Sequence, residues 1–190
     1  GDVYKRQEFA KGEYFLFLNN DTEIINKECI HELLGFCMRD DVGAVGARLY
    51  FDDNTIQHAG VVVGLGGIAG HIFLNTPYDQ VGYFARIITQ QDYSAVTAAC
   101  VMVKRVVFES INGFDTELEV AFNDVDLCLR IREAGYLVVY NPYAELYHYE
   151  SKSRGSDNTP DKIERFNRET AFFEKRWEKI LRVGDPYYNR

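Results

Sequence analysis

The chain has 190 residues, of which 46% are hydrophobic and 26% are charged, the balance of an ordinary globular domain with a sizeable core. Its net charge of −8, with no basic run, argues against a nucleic-acid surface, whereas a metal ion or a nucleotide could still bind locally. No stretch approaches the ~18 apolar residues of a membrane span, and the N-terminus lacks a signal-peptide pattern.

The four cysteines lie in apolar stretches and show neither CxxC nor zinc-site spacing. We therefore expect buried free thiols, which indicate a reducing compartment and a cytoplasmic protein. These residues are Cys29, Cys37, Cys100 and Cys128.

The first half of the chain alternates strand-like and helix-like patterns. The apolar run Tyr14–Leu18, followed by the turn-forming Asn19-Asn20-Asp21, predicts a buried strand. Asn26 is expected to cap a helix whose apolar residues recur at helical spacing. Strands are then predicted over residues 42–51 and 56–63, and a long surface loop without periodicity over residues 64–86.

The second half is predicted to complete the sheet and add a tail. Residues 123–133 form the most distinct helix, with acidic residues in its first turn and Gly135 as its C-cap. Beyond Glu150 the composition becomes polar, so we divide the chain into a main part (8–150) and a mobile segment with a tail helix (151–190). The remaining predictions are strands over 97–103, 136–140 and 144–149 and helices over 104–111 and 161–181. The alternation predicts an α/β fold with a mixed sheet.

Asp21 follows the first predicted strand directly and has two interpretations. Asn19-Asn20-Asp21 can be a simple turn. Alternatively, carboxylates at the carboxyl ends of strands in open α/β sheets face the ligand crevice. There Asp21 could hold Mg²⁺ or Mn²⁺, with water and substrate phosphates as the other ligands, and Asn19 could hydrogen-bond a ribose or phosphate.

Asp124 and Asp126 begin the acidic helix two residues apart, so their side chains point to different faces. At most one can face a pocket, and the other is expected to cap the helix or pair with Arg130 at i+4. An acidic residue in a first helical turn is often only structural. As a general base, such a carboxylate must lie within reach of an acceptor hydroxyl.

Two histidines lie in predicted strands. His148 ends an aromatic strand, where it is either a packed core residue or a metal ligand. His58 is interpreted as a packing residue or an acceptor contact.

Several separate runs together resemble the family-2 glycosyltransferases, most closely the bacterial rhamnosyltransferase-like branch, over about residues 8–188. They occur in the order that the family shows. The runs are Lys11-Gly-Glu-Tyr-Phe-Leu-Phe-Leu-Asn-Asn-Asp-Thr-Glu23, Gly43-Ala-Val-Gly46, Gln57-His-Ala-Gly60, Thr97-Ala-Ala-Cys100, Gly113-Phe-Asp115, Phe122-Asn-Asp-Val-Asp-Leu-Cys-Leu-Arg130, and Tyr147-His148 followed by Glu150-Ser151.

The resemblance implies a GT-A fold, present here as a truncated mixed sheet flanked by helices with a C-terminal tail helix. It also implies an inverting transfer of sugar from a nucleotide-sugar donor to a sugar or glycolipid acceptor. Asp21 matches the metal ligand of the family's DxD-type motif, with Asn19 in place of its first Asp, and Asp124 matches the base. His148 matches a histidine that can reach the metal or the diphosphate. The same correspondence places His58, Ala99, Cys100 and Asn123, which replaces the usual Glu, on the acceptor side.

The resemblance starts just before the metal motif, so the first βαβ unit, which grips the nucleobase in the family, has no counterpart here. Gly1–Gln7 match nothing in the family. We therefore expect self-association through an open sheet edge and weak activity of the isolated chain. Peripheral association with the inner face of the membrane stays open.

Two other function classes remain. A non-catalytic carbohydrate-binding or assembly module of the same fold would use loop aromatics for sugar stacking, namely Tyr78, Tyr83, Phe84 and Tyr93. A metal-dependent phosphatase or nuclease would normally need two metals and more clustered carboxylates.

Overall fold

The computed structural model describes residues 10–149 and 159–188. The predicted mobile segment between the main part and the tail helix lies outside the described residues. The strands are β1 (Tyr14–Leu18), β2 (Thr22–Ile24), β3 (Val42–Tyr50), β4 (Ile56–His58), β5 (Val61–Val63), β6 (Ala69–His71), β7 (Gln91–Asp92), β8 (Cys100–Lys104) and β9 (Leu137–His148). The helices are α1 (Cys29–Cys37), α2 (Arg105–Ser110), α3 (Asn123–Glu133), α4 (Pro160–Arg176) and α5 (Glu178–Val183).

Within the described residues, seven strands form one sheet. The sheet is mixed, as predicted. Its main order is β1-β8-β3-β9-β2, with β4 beside β3 and β7 beside β9, while β5 and β6 form a separate pair. Only β3 and β9 run parallel among these pairings. β3 is buried at eight of its nine positions, which is the pattern of a strand covered on both faces.

Helices cover the two faces of the sheet. Neighbouring residues of β3 point to opposite faces, so Ala44 packs in one buried cluster and Val45 in the other. The Val45 cluster includes Leu33 of α1, and the Ala44 cluster includes Ile131 of α3 and Phe173 of α4. The chain is therefore a three-layer α/β structure.

Two glycines of β3 permit close packing on the face that α3 covers. A Cβ on Gly43 would lie 2.5 Å from Cγ2 of Ile131, and one on Gly46 would lie 2.5 Å from Cβ of Val96. The absence of a side chain at both positions lets α3 and the segment before β8 approach the central strand.

Local signals located several elements well. β1 and α3 have the predicted bounds, and Gly135 follows α3 with φ 92°, the left-handed conformation that favours glycine after a helix. The predicted helix over 104–111 is α2. The predicted strand over 97–103 begins only at Cys100, because the N–H groups of Thr97 and Ala98 bond the side chains of His58 and Asp124.

Other predictions were wrong in their details. The two strands predicted at the end of the sheet are one strand, β9. It continues through Pro142, which has no N–H to donate, because the register between β3 and β9 shifts between Ala47 and Arg48. The strand predicted over 56–63 is divided into β4 and β5 at Gly60, which has φ 111°. The surface loop over 64–86 contains β6 and two 3₁₀ turns, Leu65–Gly67 and Tyr83–Ala85.

Asn26 does not cap α1, and the tail helix is not continuous. The residue before α1 is Glu28, which makes no side-chain cap, while the Asn26 amide bonds the backbone of Tyr143 and Glu145 on β9. The tail breaks at Trp177, between α4 and α5. No helix in the described part of the chain is long and apolar enough to cross a membrane.

Candidate functional site

The turn after β1 carries Asn19 and Asp21 to the end of β9. The N–H of Asn19 donates to the carbonyl of Ala99 over 2.9 Å, and Thr22 Oγ1 donates to the Asn19 carbonyl over 2.7 Å. β2 then pairs with β9 so that Thr22 lies opposite His148. This pairing brings Asp21 beside His148, two residues that the sequence nominated separately.

The side chains of Asp21 and His148 lie next to each other. Oδ1 of Asp21 is buried, has no hydrogen-bond partner among the described residues and lies 3.2 Å from Nε2 of His148. Gln57 Nε2 donates to the His148 carbonyl, which leaves Gln57 Oε1 to accept from Nδ1–H of His148 over 2.7 Å. With its proton on Nδ1, His148 presents a lone pair on Nε2.

The arrangement suits a positive species between these two atoms. A carboxylate oxygen and a neutral imidazole nitrogen are both ligands for divalent cations such as Mn²⁺. Asn19 Nδ2 lies 3.1 Å from the same His148 nitrogen, where an amide N–H can donate to its lone pair. Across the described ranges, no group of three or more His, Cys, Asp or Glu side chains is arranged to hold a metal ion.

Asp124 is held in the first turn of α3 by two backbone N–H groups. Its Oδ1 accepts from Val125 over 2.8 Å and its Oδ2 accepts from Ala98 over 3.1 Å. The side chain is half-buried, and each oxygen keeps a second lone pair. Neighbouring Asn123 bonds only weakly to the Glu119 carbonyl, at 3.5 Å.

Asp126 points to the other face, as predicted. It is fully buried and accepts from Nε of Arg130 over 2.7 Å, which is the expected i+4 pair. Trp177 Nε1 and Arg176 Nη1 also donate to it, so its role within the described structure is to anchor the tail.

His58 is fully buried. The Nδ1 atom of His58 shares a hydrogen bond with the Nδ1 atom of His71 over 2.9 Å. The His58 Nε2 atom accepts from the N–H of Thr97 over 3.4 Å. Burial, followed by the nearby His71 and His148, lowers the pKa of His58 well below 6.5. His58 is therefore a neutral packing residue that holds the segment before β8.

The segment Thr97-Ala98-Ala99 connects all the parts of this region. The N–H of Thr97 donates to His58, and the N–H of Ala98 donates to Asp124. The carbonyl of Ala99 accepts from the backbone N–H of Asn19. Ala99 and Cys100 are themselves buried, so they shape the region through the backbone.

The motifs did not single out Gln57, Ala98 or His71 for these contacts. The feature of the sequence that could have pointed to Gln57 is its place beside His58 in the run Gln57-His-Ala-Gly60. Ala98 contacts Asp124 through its backbone N–H, a group that almost every residue has, so the residue type does not reveal the contact.

The chain is similar in sequence to several curated proteins. It is 49% identical to an uncharacterized protein of Sinorhizobium fredii and 41% identical to the O-antigen biosynthesis protein RfbC of Myxococcus xanthus, each over 95% of this chain. The chain spans 20% and 14% of their respective lengths. Over 62 residues, 33% of the chain, it is 39% identical to an N-acetylglucosaminyl-diphospho-decaprenol L-rhamnosyltransferase of Mycobacterium tuberculosis, of which it covers 20%. No protein-family model matches.

Two solved structures share the fold at low sequence identity. The mannosyltransferase PcManGT from Pyrobaculum calidifontis, in complex with GDP-Man and Mn²⁺, matches 80% of this chain and 36% of its own, with a TM-score of 0.52 and 16% identity. GalNAc-T7 with UDP, GalNAc and Mn²⁺ matches 94% of this chain and 36% of its own, with a TM-score of 0.66 and 11% identity. The relatives and the shared fold together confirm the predicted resemblance to family-2-like glycosyltransferases with a GT-A fold.

Proposed function

We propose that this chain carries the metal-binding and acceptor-activating part of an inverting glycosyltransferase. It would move a sugar from a nucleotide-sugar donor to a hydroxyl of a sugar or glycolipid, in the synthesis of a cell-surface polysaccharide at the cytoplasmic side of the membrane. The observation that carries the proposal is that residues 98 and 99 bond both Asp124 and the Asn19 turn. The names of RfbC and of the rhamnosyltransferase support the reaction class.

On the donor side, Asp21 and His148 would hold Mg²⁺ or Mn²⁺. When bound, the ion would neutralise the charge that develops on the leaving nucleoside diphosphate. Gln57 keeps the proton of His148 on Nδ1 and so directs the Nε2 lone pair toward Asp21. Two protein ligands leave room for water and donor phosphates, which is the usual coordination of Mg²⁺ in nucleotide sites. The amide of Asn19 would turn from His148 to a phosphate or ribose oxygen.

On the acceptor side, Asp124 would act as the general base. Two backbone N–H groups fix its carboxylate, and its remaining lone pairs can take the proton of an acceptor hydroxyl. The hydroxyl oxygen would then bond the anomeric carbon from the face opposite the nucleoside diphosphate, whose bond to that carbon breaks. Attack from the opposite face inverts the anomeric configuration.

The other residues assigned to the acceptor side would act through position. His58 is too buried to touch a sugar, but it holds Thr97 next to Ala98. Ala99 and Cys100 are buried and would shape the acceptor side through their backbone. Asn123 is adjacent to the base on α3 and would be the residue of this group that contacts the acceptor.

The test is release of nucleoside diphosphate from a panel of UDP-, GDP- and dTDP-sugars with Mn²⁺, using the longest native protein that contains this chain. We expect release with at least one donor and loss of release in the Asp124→Asn variant. Release that is equal in wild type and variant would contradict the assignment of Asp124.

A non-catalytic carbohydrate-binding module is the second candidate, and exposed aromatic residues favour it. Tyr78, Tyr83 and Phe84 are 61%, 73% and 81% exposed and could stack on sugar rings. Tyr93, which we expected to belong to this group, is fully buried against Tyr140. Binding of oligosaccharides without release of nucleoside diphosphate from any donor would support this candidate.

A further inference from the structure

The tail helix α4 packs against the loop that leads into α3, and a buried carboxylate makes one of its polar contacts. Glu169 is fully buried, and its Oε2 accepts from the N–H of Ala121 over 2.6 Å. Ala121 precedes Asp124 by three residues. Burying a carboxylate is costly unless it is paired; the other oxygen of Glu169 lies 3.6 Å from Nε of Arg165 and accepts no hydrogen bond among the described residues. Because the buried carboxylate accepts from the N–H of Ala121, it fixes the position of the loop backbone at that residue.

A second polar contact lies just past Asp124. The end of α4 and the residue after it both donate to the fully buried Asp126: Trp177 Nε1 at 2.9 Å and Arg176 Nη1 at 3.1 Å. Arg176 Nη1 also lies 2.6 Å from Asp115, in the loop before α3. The tail is therefore hydrogen-bonded on both sides of Asp124 in the sequence.

Aromatic rings also join α4 to the residue that precedes α3. Phe122, which directly precedes α3, has φ 59° and ψ 9°, a left-handed conformation that is unusual for a bulky residue. Such a conformation persists only where the surroundings determine it. The Phe122 ring packs on Phe173 at a centroid distance of 5.2 Å and on Phe166 at 5.9 Å, and both partners belong to α4.

We propose that α4 positions the base, with Glu169, Phe173 and Trp177 as positioning residues that fix the approach to α3 and thereby the direction of the Asp124 carboxylate. The proposal rests on the proposed function for the catalytic role of Asp124. Its geometric part, that α4 fixes the Ala98–Asp124 hydrogen bond, is independent of any reaction.

A helix that only covered the core would have a different pattern of contacts. Its loss would lower the free energy of unfolding but would have no particular effect on the first turn of α3. Here the polar contacts of α4 meet Ala121 and Asp126, on either side of Asp124. A small displacement of a catalytic group can cost on the order of 10²-fold in rate, so fixing this turn affects turnover.

The test compares Glu169→Gln with Glu169→Leu in the longest native protein that contains this chain. Gln keeps a carbonyl oxygen that can accept from Ala121, whereas Leu has a similar volume and no acceptor. We expect Leu to lower kcat by about 10-fold or more with little change in the KM for the donor, and Gln to restore most of kcat, since only the acceptor is needed to hold the loop. Glu174→Leu, at an exposed position of the same helix, is the matched control.

The second readout is the amide ¹H–¹⁵N shift and hydrogen exchange of Ala98 in the 190-residue chain. Glu169→Leu should move the shift and speed exchange, whereas Glu174→Leu should not. Trp177→Phe, which removes the N–H to Asp126 together with part of the buried indole ring, provides a second variant if Glu169→Leu does not fold. Its Ala98 amide should move in the same direction.

An unchanged Ala98 amide together with wild-type kcat in a folded Glu169→Leu protein would overturn the inference. A failure of the proposed function is recognised separately. In that case Asp124→Asn keeps full turnover, while the Ala98 amide still responds to Glu169→Leu.

Discussion

The N–H of Ala98 donates to Oδ2 of Asp124 over 3.1 Å, which joins the loop before β8 to the first turn of α3. The next residue, Ala99, accepts from the backbone of Asn19 on the turn after β1. Ala98 and Ala99 therefore connect the candidate base, Asp124, to the turn that carries the candidate metal ligand Asp21.

Asp124→Asn should lower turnover by at least ~10²-fold, because the amide cannot take a proton from the acceptor hydroxyl. Donor affinity should change little, since the carboxylate contacts the loop before β8 and not the Asp21–His148 pair. Steady-state kinetics and calorimetric titration with nucleoside diphosphate measure the two effects. Glu117→Gln, at an exposed position in the loop before α3, is the control. Near wild-type turnover of Asp124→Asn would remove Asp124 from the mechanism.

Asp21→Ala should abolish the binding of Mn²⁺ and of the Mn²⁺–nucleoside diphosphate complex while the fold remains intact. Oδ1 of Asp21 has no hydrogen-bond partner among the described residues and its close polar contact is with Nε2 of His148 at 3.2 Å, so its loss should leave the fold intact. His148→Ala should show a milder form of the same defect. Calorimetry with Mn²⁺ alone and with nucleoside diphosphate measures affinity, and circular dichroism checks the fold. Glu23→Ala is the control on the adjacent exposed strand, and unchanged Mn²⁺ affinity of Asp21→Ala counts against ligation.

His58 should make the protein less stable in mild acid. Its folded-state pKa lies well below 6.5, chiefly through burial, so below about pH 6.5 the unfolded chain binds a proton that the folded chain does not. The free energy of unfolding should therefore fall as pH falls, by up to ~1.4 kcal/mol per pH unit from this group. Urea denaturation between pH 7.5 and 5 should give a shallower pH dependence for His58→Gln than for wild type. The exposed His31→Gln should keep the wild-type dependence, and identical slopes in all three proteins would contradict the prediction.

The four cysteines should resist thiol reagents in the folded state. All are buried and free, and burial raises the pKa of Cys29 to about 11 and that of Cys37 and Cys128 to about 12. Burial also raises the pKa of Cys100. Because the thiolate is the reactive form, reaction at pH 8 should be slow until the chain is unfolded. Labelling with iodoacetamide, followed by mass spectrometry with and without guanidinium, measures this. Rapid labelling of the native chain would show that the thiols are accessible.

The isolated 190-residue chain should self-associate through β1. Within the described residues, β1 pairs with β8 on one side only, and Leu18 at its end is 44% exposed. An open apolar strand edge invites pairing with a second chain. Leu18→Lys should shift the chain toward monomer in size-exclusion chromatography with light scattering, whereas Val183→Lys, on the exposed tail, should not. A wild-type chain that is monomeric at all concentrations would contradict the prediction.

The elements that the sequence predicted well are those determined by neighbours along the chain. The helix α3 has the expected bounds because its acidic first turn and Gly135 act within a few residues. The strand β1 is similarly an apolar run that ends at turn-forming residues. The next strand along the chain, β2, is too short to produce a pattern of its own and exists because it pairs with β9.

The bounds of the other strands depend on contacts that are distant in sequence. Asn141-Pro142-Tyr143 looks like a turn, but β9 passes through it because the register against β3 shifts at the same place. Asn26 resembles a helix cap, yet its amide bonds β9 instead. Tertiary hydrogen bonds therefore replaced local preferences at both positions.

The same division applies to the candidate site. Residue types and motifs nominated Asp21, Asp124 and His148 from the sequence by itself, because carboxylates and imidazoles are recognisable wherever they occur. Only the tertiary structure placed Asp21 beside His148 and brought Gln57, Ala98 and Glu169 into the contacts on which their proposed roles rest. Those roles depend on backbone hydrogen bonds and on burial, which arise where distant segments cross and which residue type does not encode.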